Sequence, residues 1–155
     1  MQVQLSQKER MLLEDQKQQE EICVIKYQNY SQQAQDQQLK QLFSTLSAEE
    51  QHHLDMINQM LQGHQPNISQ GQQNQQKGGQ QKSSYQGAMG NAGDKILCSD
   101  LLASEKYVSG TYDTVVFEAA NPTVRQTLQH IQQDEQRHGE QLFNYMNSHG
   151  MYNVQ

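Results

Sequence analysis

The sequence predicts an all-α protein: a four-helix bundle made of two duplicated helical hairpins joined by a long crossover linker. Three observations predict it. Two segments of about fifty residues carry apolar side chains every three or four positions, the spacing of one helix face. Between them, residues 62–93 hold ten Gln and seven Gly without apolar periodicity, which is the composition of a flexible linker. The two segments also match each other without a gap, in the single register that sets Leu12 on Leu97 and Tyr27 on Tyr112.

The elements follow in order. The first hairpin, 7–62, divides into helices over 7–35 and 38–62, with Leu39, Leu42, Phe43, Leu46, Ile57, Met60 and Leu61 marking the apolar face of the second. Asp36 stands where that helix needs an N-cap. The linker occupies 63–93. The second hairpin, 94–147, divides into helices over 94–120 and 122–147, and Asn121-Pro122 supplies a cap residue followed by a proline at the first helical position. Val124, Leu128, Ile131, Leu142, Tyr145 and Met146 mark the apolar face of the last helix. If the two middle helices run parallel, the linker must travel the length of the bundle, a distance it covers with slack.

A chain of 155 residues fits a single domain spanning 1–155. Only 34% of it is hydrophobic and the mean hydropathy is -0.97, because about one position in five is Gln. The core must be economical. No apolar run approaches the roughly 20 residues of a membrane span, and Met1 to Arg10 lacks an apolar signal core, so synthesis in the cytoplasm without a signal peptide is expected. A net charge of -6 and a pI near 5.4 argue against nucleic acid as a partner, since phosphate neutralisation needs a basic face. Cys23 and Cys98 are too few for a disulfide framework and read as buried thiols.

The internal match pairs Glu20 with Glu105, Tyr27 with Tyr112, Glu50 with Glu135 and His53 with His138. In the second helix Leu46, Glu50, His53, Ile57 and Met60 share one stripe. In the fourth, Ile131, Glu135, His138, Leu142 and Tyr145 repeat it. Leu13, Glu20, Tyr27 and Ala34 line one face of the first helix at seven-residue spacing, and Cys98, Glu105, Tyr112 and Ala119 do so in the third. Every helix therefore carries a glutamate at mid-length on its core-facing side.

Four carboxylates cannot be buried together without counter-charge. Two divalent cations neutralise them, and neutral imidazoles add nitrogen donors without disturbing that balance. One Glu from each of two helices plus Glu-x-x-His from each of the others is the ligand pattern of a carboxylate-bridged di-metal centre. The expected metal ligands are Glu20, Glu50, His53, Glu105, Glu135 and His138, holding two Fe or Mn ions. Glu49 and His52 form a rival pair, but it repeats as Asp134 and Arg137 and lies off the stripe. Glu49 and Asp134 each precede a ligand glutamate and are placed to accept the second N–H of a histidine across the bundle. Tyr27 and Tyr112 lie two turns from Glu20 and Glu105, within reach of a ligand carboxylate, or serve as plain core aromatics. His64, His130 and His149 read as surface residues, and Glu21 and Glu118 hold no seam position.

Three stretches carry a resemblance: EEICVIKYQNY, LLASEKYVSGTYDTVVFEAANPTVRQTL and QDEQRHGEQLFNYMNSHGMY. Together they resemble the spore coat F family of the ferritin-like superfamily. The resemblance implies a protein of the endospore coat, with other coat proteins as partners and a homodimer compatible with it. It also implies the superfamily's metal pattern at the six residues named above. About eight residues follow the fourth helix, so the extra C-terminal helix of storage ferritins is not expected, nor is a cage. Without a C-x-x-C pair, a rubrerythrin-like peroxidase would need an outside electron donor. A manganese-catalase-like reaction needs none. Three readings follow: a coat protein that binds two metals, an oxidoreductase acting on peroxide or dioxygen, and a metal-free architectural bundle.

Overall fold

A computed structural model describes residues 2–68 and 92–154. Four helices account for nearly all of it: α1 (Gln7–Gln33), α2 (Gln37–Leu61), α3 (Ala92–Glu118) and α4 (Pro122–Ser148). α1 packs on α2 and α3 on α4, which makes the two expected hairpins. Among the described residues the only β feature is one antiparallel bridge between Gln2 and His64. No described helix is long and apolar enough to cross a membrane.

Local chemistry explains the ends. Ser6 and Glu9 form a reciprocal capping box at the start of α1. The Asn121 side chain accepts from the N–H groups of Thr123 and Val124, and Pro122 follows it, as the sequence predicts. Asp36 occupies the N-cap of α2, but its side chain makes no cap hydrogen bond there. Its carboxylate instead accepts from the Tyr145 hydroxyl at 2.7 Å. α2 ends in a left-handed turn at Gly63, whose φ is +84°. A Cβ there would also sit 3.3 Å from the Val3 carbonyl oxygen, so glycine answers both demands.

Helix polarity decides the connection. Tyr30 pairs with Asp100, Gln19 with Thr111, and the backbone of Gln35 and Asp36 with Asp94, so α3 runs antiparallel to α1. α1 is also antiparallel to α2, which leaves α2 and α3 parallel. The end of α2 lies beside Val3, whereas the start of α3 lies beside the α1–α2 turn. These points are separated by the length of a 27-residue helix, about 40 Å. Residues 69–91, the bulk of the expected linker, lie outside the described residues, and α3 begins two residues earlier than expected.

The core has two apolar halves. One gathers Leu13, Met56, Met60, Tyr112, Leu128 and Ile131. The other gathers Tyr27, Leu39, Phe43, Leu46, Leu101 and Leu142. Buried between them at mid-bundle are Glu20, Glu50, His53, Glu105, Glu135 and His138.

Candidate metal centre

Each helix delivers its glutamate to that layer from the face that sequence spacing assigns to the core. Glu20, Glu50, Glu105 and Glu135 are at most 3% exposed, as are His53 and His138, so all six are shielded from water. Their ligand atoms form two overlapping groups, each within 4.8 Å: Glu20, Glu50, His53 and Glu135, then Glu50, Glu105, Glu135 and His138. Glu50 and Glu135 belong to both groups. The two imidazoles stack in parallel with ring centroids 5.5 Å apart.

Nδ1 of each histidine faces inward, 3.1 Å from Glu50 for His53 and 3.2 Å for His138. Nε2 faces outward and across the bundle. His53 reaches Asp134 at 3.1 Å, and His138 reaches Glu49 at 2.7 Å. These are the acids that directly precede Glu135 and Glu50 in the sequence. The Tyr27 hydroxyl donates to Glu105 and the Tyr112 hydroxyl donates to Glu20. The outward histidine contacts are equivalent under the internal match, and so are the two tyrosine contacts. The sequence repeat has become a two-fold arrangement of side chains.

The electrostatics are those of a site with too many acids for its own cations. Burial pushes the Glu20 and Glu135 carboxyls well above the usual carboxylate range. The Glu50 charge adds to the rise at Glu20, and the Glu20 and Glu50 charges add to it at Glu135. Burial acts the same way on Glu50, but hydrogen bonds from His138 and His53 outweigh it and hold that carboxyl well below the range. Burial would lower both imidazoles. The carboxylates around them prevail, with Asp134 foremost at His53 and Glu105 at His138, and raise both well above the ordinary histidine value. Burial and the adjacent Glu105 and Glu20 charges keep the Tyr27 and Tyr112 phenols protonated, as donors. Burial, then the four glutamate charges, push the Cys23 thiol up. Burial pushes Cys98 up to about 12, so neither cysteine offers a thiolate.

Several buried oxygens have no hydrogen bond: Oε2 of Glu20, of Glu105 and of Glu135. Such atoms cost free energy unless something binds them. Hard divalent cations with carboxylate and imidazole ligands fit this donor set. Nδ1 is the nitrogen free to bind metal once Nε2–H is donated outward. In that role Asp134 and Glu49 would fix ring orientation and tautomer.

Two histidines expected at the surface are partly covered. His130 is held against α4, with Nε2 3.5 Å from Asp134 and its side chain 14% exposed. Its position one turn before Asp134 is the sequence signal for that contact. His149 stacks on Tyr145 at 4.0 Å, and Nδ1 lies 2.8 Å from the Tyr145 carbonyl oxygen. His64 is exposed, as expected. In the sequence Arg137 stands out only as the repeat partner of His52. The structure places its guanidinium 2.7 Å from Asp134 and 3.9 Å from Glu49.

Fold and site together define a two-hairpin helical bundle with a buried carboxylate–histidine layer. Its second hairpin carries the one family match: residues 93–155 match the Coat F domain. The matched segment contributes Glu105, Asp134, Glu135 and His138, while the first hairpin contributes their repeat partners. No curated protein and no solved structure matches the chain.

Proposed function

We propose that this is a ferritin-like protein of the endospore coat that binds a carboxylate-bridged pair of Fe or Mn ions. The whole chain, 1–155, would act as one coat F domain, made in the cytoplasm and assembled with other coat proteins. One observation carries the metal reading: two overlapping ligand groups share Glu50 and Glu135, and several of their buried oxygens have no partner. Glu20 and His53 would hold one ion, Glu105 and His138 the other, and Glu50 and Glu135 would bridge. Four carboxylates and two divalent ions then sum to zero charge inside a low-dielectric core. Elemental analysis of protein purified without chelator tests this. About two Fe or Mn per chain are expected, and none after reconstitution overturns it.

A second reading is favoured by the tyrosines. A buried Tyr27–Glu105 or Tyr112–Glu20 pair places a phenol O–H beside each terminal ligand, where a proton can be held while a bound oxidant is reduced. A bound metal pair would supply two-electron redox chemistry toward peroxide or dioxygen. For peroxide alone the balance closes without a donor: one molecule is oxidised to dioxygen and a second is reduced to two waters. The protein's residues would bind and neutralise the metals, exclude bulk water and retain protons on Tyr27 and Tyr112.

A further inference from the structure

We infer that the two metal positions are not equivalent, that the ion beside His138 exchanges before the ion beside His53, and that Arg137 is the positioning residue that separates them. The inference rests on the di-metal reading above. It starts from a break in the repeat: the position equivalent to Arg137 in the first hairpin is His52, which carries no permanent charge. The two outer carboxylates therefore have different surroundings.

On one side, His53 Nε2 meets Asp134 Oδ2 at 3.1 Å. The other oxygen of Asp134 accepts from Arg137 Nη2 at 2.7 Å, His130 stands 3.5 Å away, and the Asp134 side chain is 8% exposed. On the other side, His138 Nε2 meets Glu49 Oε2 at 2.7 Å. Among the described residues the nearest guanidinium or ammonium nitrogen there is that of Arg137 at 3.9 Å, beyond hydrogen-bond distance, and the Glu49 side chain is 32% exposed. His52 Nε2 has no hydrogen-bond partner, so His52 gives Glu49 no anchor through that nitrogen.

An outer carboxylate fixes the plane and tautomer of a ligand histidine, and losing that support typically costs ten- to a hundredfold in metal affinity. Asp134 is anchored by Arg137 and shielded from water, so His53 stays aimed when its ion departs. Glu49 keeps its freedom to rotate, and water competes for its bond to His138. The shorter bond on the His138 side works the other way by making that imidazole more basic. Solvent screening of a carboxylate one-third exposed weakens this opposing effect.

The test uses the full chain loaded with Co(II) and mixed with excess chromogenic chelator. Release is expected in two phases of equal amplitude, separated by about tenfold or more. Arg137→Gln should accelerate the slow phase toward the fast one, and Arg137→Lys should restore the separation. Glu49→Gln should accelerate the fast phase alone. In the proton spectrum of the Co(II) protein, each ligand histidine should give one shifted Nε2–H signal, and in D2O the signal altered by Glu49→Gln should fade first. Two Co(II) taken up but released in a single phase would overturn this inference alone. So would an Arg137→Gln effect confined to the fast phase. Uptake of fewer than two ions would overturn the di-metal reading beneath it.

Discussion

Glu9 and Asp94, which occupy equivalent positions in the two hairpins, clamp opposite ends of the bundle in the same way. Glu9 accepts from the backbone N–H of Asn121 at 2.7 Å and from that of Ser6 at 2.8 Å. Asp94 accepts from the N–H groups of Gln35 and Asp36 at 2.9 and 3.0 Å. Each acid starts one hairpin and ties down the turn of the other. The hairpins are thereby locked in register, and that register brings the four mid-helix glutamates to one level.

Removing either clamp should loosen the bundle. Glu9→Ala deletes charge-assisted, part-buried bonds to the turn and should cost about 2 kcal/mol in urea unfolding. Glu9→Gln should cost less, because the amide oxygen still accepts. Burial raises the Glu9 carboxyl, but the bonds from Asn121 and Ser6 outweigh it, so its pKa is lowered on folding. Its contribution is then complete above the unfolded value of 4.5 and fades as pH falls through the lower folded value. The stability gap between wild type and Glu9→Gln should narrow over that range. A gap that stays constant into strong acid would contradict the clamp.

Glu50 and Glu135 should respond oppositely in metal-free protein, although both should lose metal when changed to Gln. Glu50 receives Nδ1 of both histidines, so Glu50→Gln removes the one charge both rings share, leaving Glu135 at 3.2 Å for His53 and Glu105 at 3.4 Å for His138, and should destabilise by roughly 1–3 kcal/mol. Glu135 Oε2 has no bond and its carboxyl is pushed up, so Glu135→Gln should raise the urea midpoint. Unchanged metal content in the double variant would sink the ligand assignment.

The repeat makes much of this legible in the sequence. A single Glu-x-x-His is common on solvated helices. Two in register, each facing a mid-helix glutamate, pick out Glu20, Glu50, His53, Glu105, Glu135 and His138, which the fold brings within reach of one another. Glu49 and Asp134 are legible because each directly precedes a repeated core-facing glutamate, Glu50 and Glu135. Glu9 and Asp94 are not, because they differ in identity and their partners are backbone groups 112 and 58 residues distant. Asp36 is legible as a cap position only. That its carboxylate turns to Tyr145 depends on a contact between hairpins that local propensity cannot reveal.

Metal-free protein should weaken as pH rises. The raised Glu20 and Glu135 carboxyls mean that the folded state binds protons that the unfolded state has released above 4.5. The raised His53 and His138 extend this above the unfolded value of 6.5, until their folded values are passed. Stability should therefore fall with pH through the neutral range. Metal loading replaces those protons and should flatten the slope. Parallel slopes with and without metal would show that the ions bind elsewhere.

The tyrosines separate a working centre from a structural one. The Tyr27 phenol donates to Glu105 and the Tyr112 phenol to Glu20, and each is held protonated by burial and by that glutamate's charge. If the pair of ions only holds the helices together, Tyr27→Phe and Tyr112→Phe should lower the melting temperature and metal affinity. Peroxide should then vanish no faster than with free ions. If the centre turns over, Mn-loaded protein should release dioxygen from peroxide faster than the same concentration of free Mn. Glu105→Gln should suppress that rate by removing a terminal ligand. Each Tyr→Phe change should slow turnover more than it weakens binding, because a proton held beside the metals is lost while the ligands remain. The measurement is oxygen evolution beside a metal titration on the same variants. Rates that simply track occupancy would leave the tyrosines as hydrogen-bonded core aromatics. No evolution above the free-ion rate, with Fe-loaded protein equally inert to dioxygen, would leave a bundle with a structural metal pair.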